Sequence, residues 1–417
     1  MAVYRDAAAE DPQLEQAREA IAAVVETQEQ ASAALYLPEA NFSANVNGTS
    51  QAVQLSRDST GASGRSQFMS GGYTLSLTQP ILHYDRIIGL QQADSRVAQA
   101  NSEYAAAEIA LLLRVAERYF EVLAAKENLN FAQLQQASLT RGLEETKLHQ
   151  AAGYLAMTDI QEAQAGADRA SADAVEAEHQ LNDAQEGLQE VTGRRYATLA
   201  DLSPDIPLVA PNPPQEQEWV KQALAQNLSL LATEYTLEST QAEIQRQAAG
   251  HLPSLDAIGN HSFATSGGRF GNADIEDTSV GLSLNVPLYQ GGRVSSKIRE
   301  AEHRYREALA KLQQQHRAVH RAASKAFLGV TAGISRVQAF AQALRSTQAA
   351  TAATRSGFQV GRRTALDVII SEREQLRAQR DYAKARYDYL LNTLRLKQTV
   401  GTLAPTDLAM INQWLQH

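Results

Sequence analysis

The sequence predicts a mostly helical chain built from two structural repeats, each joining long helical hairpins to a two-stranded β-hairpin. Three observations predict it. The chain of 417 residues matches itself at a shift of 208: Gly361 falls on Gly153, Thr364 on Ala156, Leu366 on Thr158, Asp367 on Asp159 and Val368 on Ile160. With a few residues of drift the same shift lays Gly401 on Gly193, Pro287 on Pro80 and Leu252-Pro253 on Leu37-Pro38, an ordered set of landmarks that marks an internal repeat. Alanine and glutamine dominate while aromatics make up only 6%, and small side chains suit long helices packed closely side by side rather than one thick core. Finally, several short stretches alternate apolar and polar residues at a period of two, the pattern of strands with two different faces.

In chain order, residues 7–35 read as one helix, stopped at Leu37-Pro38 because the residue before a proline is pushed out of the α region. A strand follows at about 39–55, where Phe42, Ala44 and Val46 alternate with Ser43, Asn45 and Asn47. A second runs at about 67–80, where Tyr73, Leu75 and Leu77 alternate with Thr74, Ser76 and Thr78. Ser56 to Gly72, with Gly61, Gly64, Gly71 and Gly72, reads as a polar loop between them. From about Asp85 to Ala151 the helical pattern meets no proline, which at 1.5 Å per residue is a rod of roughly 100 Å. Gly153 ends it in a tip turn at about 151–158, Thr158 or Asp159 caps the returning helix, and Gly193 stops that helix. Pro204, Pro207, Pro211, Pro213 and Pro214 make an extended connector, and the first repeat, 1–208, gives way to the second, 209–417.

There the pattern replays. A helix runs from about Glu216 to Ala249, and strands lie at about 253–266 and 278–287 around a loop with Gly267, Gly268 and Gly271. The second strand alternates Val280, Leu282, Leu284 and Val286 with Gly281, Ser283 and Asn285. In the next helix Tyr305, Leu309, Leu312, His316, Val319, Ala323, Ala326 and Val330 recur as a heptad seam. A tip turn at about 357–364 around Gly361, a return helix to Val400 and a short terminal helix carrying Trp414 complete the chain.

Composition excludes several function classes. A formal charge of −9 and a pI near 5.6, with no basic stripe read along any helix, disfavour a nucleic-acid partner. The absence of cysteine removes disulfides, thiolate metal sites and an N-terminal lipid anchor on Cys. Met1-Ala2-Val3-Tyr4 leads straight into an Ala-rich pattern, so the start is read as a mature one from which a secretion signal has been removed. No apolar run approaches the roughly 20 residues of a membrane-spanning helix, so a membrane span has to use strands. Each repeat supplies two strands of the kind a transmembrane barrel uses. Four strands cannot close a barrel and an open edge cannot exist in hydrocarbon, so several chains have to share one barrel, with the Ser, Thr and Asn faces lining a wet lumen.

With these features the chain resembles the TolC-like outer membrane factors, the trimeric outer-membrane channels of bacterial drug efflux and type I secretion. The resemblance covers nearly the whole chain. It is carried by L-P-S-L at Leu252 to Leu255, V-P-L-Y-Q-G-G at Val286 to Gly292, V-G-R-R-T at Val360 to Thr364 and A-R-Y-D-Y-L at Ala385 to Leu390. It implies a fold that is mostly α with transmembrane β, in which a homotrimer forms a twelve-stranded barrel continuous with a periplasmic α-barrel. It also implies an equatorial band, here at about 194–218 and 402–417. The implied function is the exit duct of a tripartite efflux system, reached through a periplasmic adaptor and an inner-membrane pump and set in outer-membrane lipid. Export of a protein by a type I system is the second reading. A coiled-coil scaffold without a pore is the third, which the alternation of Val280 to Val286 argues against because a scaffold needs no lipid-facing strand.

Arg363 and Asp367, four apart near a helix start, read by themselves as a solvated ion pair worth a few tenths of a kcal/mol. The resemblance implies more: an arginine at Arg363 bonded to the residues at Thr158 and Asp159, and an acid at Asp367 forming a ring at the periplasmic entrance. Phe358 stands where the family has a tyrosine, and Ile370 where its best-known members have a second acidic ring. The glycine turns read by themselves as helix-breaking corners; in the family such tips meet an adaptor, which marks Gly153, Tyr154, Leu155, Val360, Gly361, Arg362 and Thr364 as candidate contacts. No enzymatic, cofactor or metal role is read. His316 and His320 are spaced for a metal but lack a third ligand, Gly267-Gly268 and Gly291-Gly292 lack the context of a phosphate loop, and Glu372 and Glu374 fall on a solvated helical stretch.

Overall fold

The computed structural model describes residues 1–54, 64–154, 156–267 and 271–416, of Ala365 the backbone only. Gly61, Leu155, Gly268 and His417 lie outside the described residues. No helix among the described residues is long and apolar enough to cross a membrane. The chain divides into two compact units that cut across the repeats, each taking segments from both halves: one holds Met1–Ala20, Asn101–Ala232 and Gln313–His417, the other Ile21–Ala100 and Thr233–Leu312.

The second unit contains the sheet. Strands β1 (Glu39–Val53), β2 (Gly64–Leu82), β4 (Ser254–Ser266) and β5 (Ala273–Asn285) pair antiparallel in the order β1-β2-β4-β5. Register puts the paired apolar positions of the sequence pattern on one face, Val286 falling past the end of β5: Phe42 lies opposite Leu75, Leu77 opposite Gly259, and Gly259 opposite Val280. That face is bare, with Val46, Val280 and Leu282 at 75%, 88% and 69% exposure. Among the described residues β1 and β5 each have one strand partner, so both edges of the sheet present unpaired backbone.

Two strand starts differ from the sequence reading by three residues or more. β2 begins at Gly64, inside the stretch read as loop, because the glycines serve close approach rather than a turn: a Cβ on Gly72 would collide with the Phe263 carbonyl of β4. β5 spans 273–285 rather than about 278–287, its first residues Asp274, Glu276 and Asp277 pairing with β4 despite poor strand propensity.

The first unit is helical. Its core joins Leu112, Phe120 and Leu123 of α3 (Tyr84–Ala151), Phe327, Val330 and Val337 of α7 (Arg293–Gln359), and Ala383, Tyr387, Leu390 and Leu394 of α8 (Ala365–Val400). Part of the α3 contact with α4 (Met157–Thr192) is made of small residues, Ala132 against Ala174 and Ala177, which lets the backbones approach closely there, while Val122 packs on Leu188 farther from the tip. Along α7, Val319, Ala323 and Val330 are buried as read, but Leu309 and His316 are exposed and Ala301 and Ala308 are buried instead. The steps from Ala308 to Val319 to Val330 are eleven residues. Such a step keeps one face of a nearly straight helix, where a strict heptad drifts.

Two helices read as continuous are broken. The first divides into α1 (Ala2–Glu10) and α2 (Pro12–Tyr36) at Asp11, which is extended at φ −70°, ψ 116° and accepts the Leu14 N–H at 2.8 Å. The other divides into α5 (Glu216–Gln226) and α6 (Leu228–Ala248) at Asn227, with φ −69°, ψ 118° and the Leu230 N–H on its side chain at 3.0 Å. Each break abuts the glycine that stops the returning helix of its repeat. A Cβ on Gly193 (φ 67°) would lie 3.3 Å from the Glu10 Cβ, and one on Gly401 (φ 80°) 2.6 Å from the Gln226 carbonyl oxygen. Gly401→Ala therefore strains the backbone and strikes a carbonyl, and thermal unfolding is expected to show a clearly larger drop in Tm than for Gly193→Ala. Equal shifts would contradict this packing.

The connector and the C-terminal segment meet in this unit. β3 (Asp201–Leu202) pairs with β6 (Leu415–Gln416) beside α9 (Pro405–Asn412). The A-R-Y-D-Y-L motif holds the proline-rich connector to α8: Arg386 donates to the Ser203 carbonyl at 2.6 Å, and the Tyr389 hydroxyl accepts the Val209 N–H at 2.8 Å.

Candidate gate at the helical tips

Both tips are the same turn built twice. After α3, the Gly153 N–H donates to the Gln150 carbonyl and the Tyr154 N–H to that of His149, at 2.8 and 3.0 Å. After α7, the Gly361 N–H donates to the Phe358 carbonyl and the Arg362 N–H to that of Gly357, at 2.9 and 2.8 Å. The corresponding residues are 208 apart, and in both turns the left-handed glycine (φ 81° and 72°) satisfies the last carbonyls of the helix. The returning helices share a cap. Asp159 accepts the Ala156 N–H at 2.9 Å and Asp367 the Thr364 N–H at 2.9 Å, but only Thr364 completes the box by accepting the Asp367 N–H, at 3.1 Å. Of the two caps read for the first tip, it is Asp159 that acts.

This cap governs the charge of Asp367. The Thr364 backbone N–H, then the Thr364 hydroxyl and the Arg363 guanidinium, hold its carboxyl below the usual carboxylate range although it is still partly open to solvent. Arg363 folds over the bare backbone of Gly357, where a Cβ would come within 2.9 Å of its Cγ. Tyr154, Val360, Phe358 and Ile370 are exposed at 79%, 68%, 47% and 43%, as are Thr158, Arg362 and Thr364.

Just behind the tip lies a cluster that sequence reading placed in solvent. Glu372 is a bridge: it accepts Arg355 of α7 at 2.7 and 3.0 Å and the Ser138 hydroxyl of α3 at 3.4 Å. Thr351 and Ser371 bond at 2.9 Å beside it, and Ile369 fills the groove over Gly142. No local pattern reveals this bridge, because its members come from three helices. Glu374 pairs with its neighbour Arg373 at 3.4 Å.

A family model described as outer membrane efflux protein matches residues 3–194 and 219–402, one stretch per repeat, and passes over the connector. The chain is 33% identical to the outer membrane protein TolC of Vibrio cholerae, over 99% of this chain and 93% of that protein. It is 29% identical to the proteases secretion protein PrtF of Dickeya chrysanthemi, over 82% of this chain and 75% of that one. Its fold matches the CmeC outer membrane channel of Campylobacter jejuni with a TM-score of 0.81 at 16% identity, covering 99% of this chain and 88% of that one. Two repeats, a one-sided apolar sheet and twinned tips thus coincide with what the family model matches, and the chain belongs to the outer membrane efflux proteins, with its place in the bacterial outer membrane.

Proposed function

We propose that three copies of this chain close their sheets into one twelve-stranded barrel and act as the exit duct of a tripartite efflux system, carrying small molecules from periplasm to exterior. The observation that carries it is the four-stranded sheet with one apolar face and two unpaired edges, which is stable in lipid only when the edges of neighbouring copies pair. At the periplasmic entrance three copies of Asp367 narrow the channel, with Ile370 beside them and Phe358 bordering it. Asp159 and Thr158 of the first tip are then the groups open to Arg363. The exposed tip residues Gly153, Tyr154, Val360, Gly361, Arg362 and Thr364 form the surface for a periplasmic adaptor, together with Leu155, and an inner-membrane pump supplies the energy. The likeness to the protease secretion protein of Dickeya chrysanthemi supports a second reading, a type I secretion duct of the same construction.

A Cβ on Gly153 or Gly361 would meet no atom within 4 Å, and the strain of their positive φ (81° and 72°) falls in an exposed turn, so Gly153→Arg and Gly361→Arg are expected to distort the tip locally, to leave assembly intact and to abolish drug resistance in a strain lacking its own exit duct. Full complementation by both variants would remove the adaptor contact from the account. Resistance unrestored by wild type, with a secreted protease restored instead, would favour the second reading.

A further inference from the structure

Equivalent positions of the two repeats are not equally buried. At the shift of 208, Ala100 and Ala308, Leu111 and Val319, and Val122 and Val330 are buried alike. Phe120 is 3% exposed but its equivalent Leu328 is 55% exposed, and Ala383 is 4% exposed but its equivalent Val175 is 65% exposed. Phe120 and Ala383 belong to a seam where α3 runs antiparallel to α8. Along it Glu117 meets Arg395 at 2.7 Å, Phe120 stacks on Tyr387 with centroids 5.4 Å apart, and Arg380 lies 4.9 Å over the Phe131 ring. Leu328 on α7 and Val175 on α4 mark the two matching faces, which the single chain leaves uncovered.

Charge separates those faces. Residues 308–359 of α7 contain seven Lys or Arg and no Asp or Glu, whereas 157–192, all of α4, contain nine Asp or Glu and a single Arg. This basic run is hidden in a net charge of −9. Shifting the Glu117–Arg395 contact by the repeat places Lys325 beside Gly187, next to Glu186. Shifting the Phe120–Tyr387 contact places Leu328 beside His179, one turn from Val175. Arg321, a turn before Lys325, then falls beside Glu190. Glu186 and Glu190 are 59% and 71% exposed and, among the described residues, pair at long range with Arg195 at 3.6 Å and Arg118 at 3.8 Å.

We infer that the α7 face around Arg321, Lys325 and Leu328 docks on the α4 face around Val175, Glu186 and Glu190 of a second copy of this chain. The inference rests on the trimeric reading and says which surfaces build it. The seam within the chain then centres on buried aromatic packing with an ion pair beside it, and the seam between chains is mainly polar and charge-matched. Complementary charge of this kind fixes partner and register more than it adds affinity, and salt screens it.

The chain has no cysteine, so one pair can be introduced alone. Lys325→Cys combined with Glu186→Cys, treated with a short bis-maleimide in mild detergent, is expected to give covalent dimers and trimers that neither single variant gives. In the second arm, Lys325→Glu is expected to lower the trimer fraction and Glu186→Lys to restore it. Cross-linking that is absent or confined to monomers, with no rescue by charge exchange, overturns the seam and leaves the channel reading standing if wild type is trimeric. A monomeric wild type overturns both.

Discussion

Val280→Arg is expected to stop the protein from assembling in the outer membrane, and Ser279→Arg one residue away to be tolerated. Val280 lies on the apolar face at the middle of β5, in one row with Gly259 and Leu77, and is 88% exposed. Ser279 belongs to the opposite row with Asn260 and Ser76. An arginine held against the middle of the hydrocarbon costs roughly 2–4 kcal/mol, while one in a wet lumen costs little. Heat-resistant trimer on semi-native gels measures the difference. Equal tolerance of both variants would mean that the faces are exchanged.

The second large effect concerns the entrance. In the proposed ring, three Asp367 carboxylates near one axis would repel each other, which raises their pKa, while the Thr364 N–H and Arg363 in each chain lower it. The local bonds favour a ring that stays charged at neutral pH and binds cations. Asp367→Asn keeps an acceptor for the Thr364 N–H and removes the charge. In planar bilayers this variant is expected to lose block by a trivalent cation added from the periplasmic side, and Ile370→Asp to strengthen it. The sign with pH follows: binding needs the ionised form, so block is full well above the carboxyl pKa and fades as pH falls through it. Undiminished block in Asp367→Asn would move the constriction elsewhere.

Much of this architecture was legible because it repeats. Glycines at 153 and 361 mark twinned turns, and alternation around Tyr73 and Val280 gives the apolar sheet face. The break at Asp11 obeys the rule used for Leu37-Pro38, since Pro12 follows it, but the strong alanine pattern around it concealed the stop. At Asn227 no proline marks the break, and only its equivalence to Asp11 points there. The clamp of Arg386 and Tyr389 and the Glu372 bridge depend on segments brought together by tertiary folding, beyond the reach of any local period. Glycines of β2 misled in the other direction, since a residue that permits a turn also permits a strand to come close.

The shared barrel is tested most directly by the native mass of the purified protein in mild detergent. The account requires three chains of 45.3 kDa in one particle, with the detergent belt of a membrane protein. A stable monomer, soluble without detergent, would contradict it.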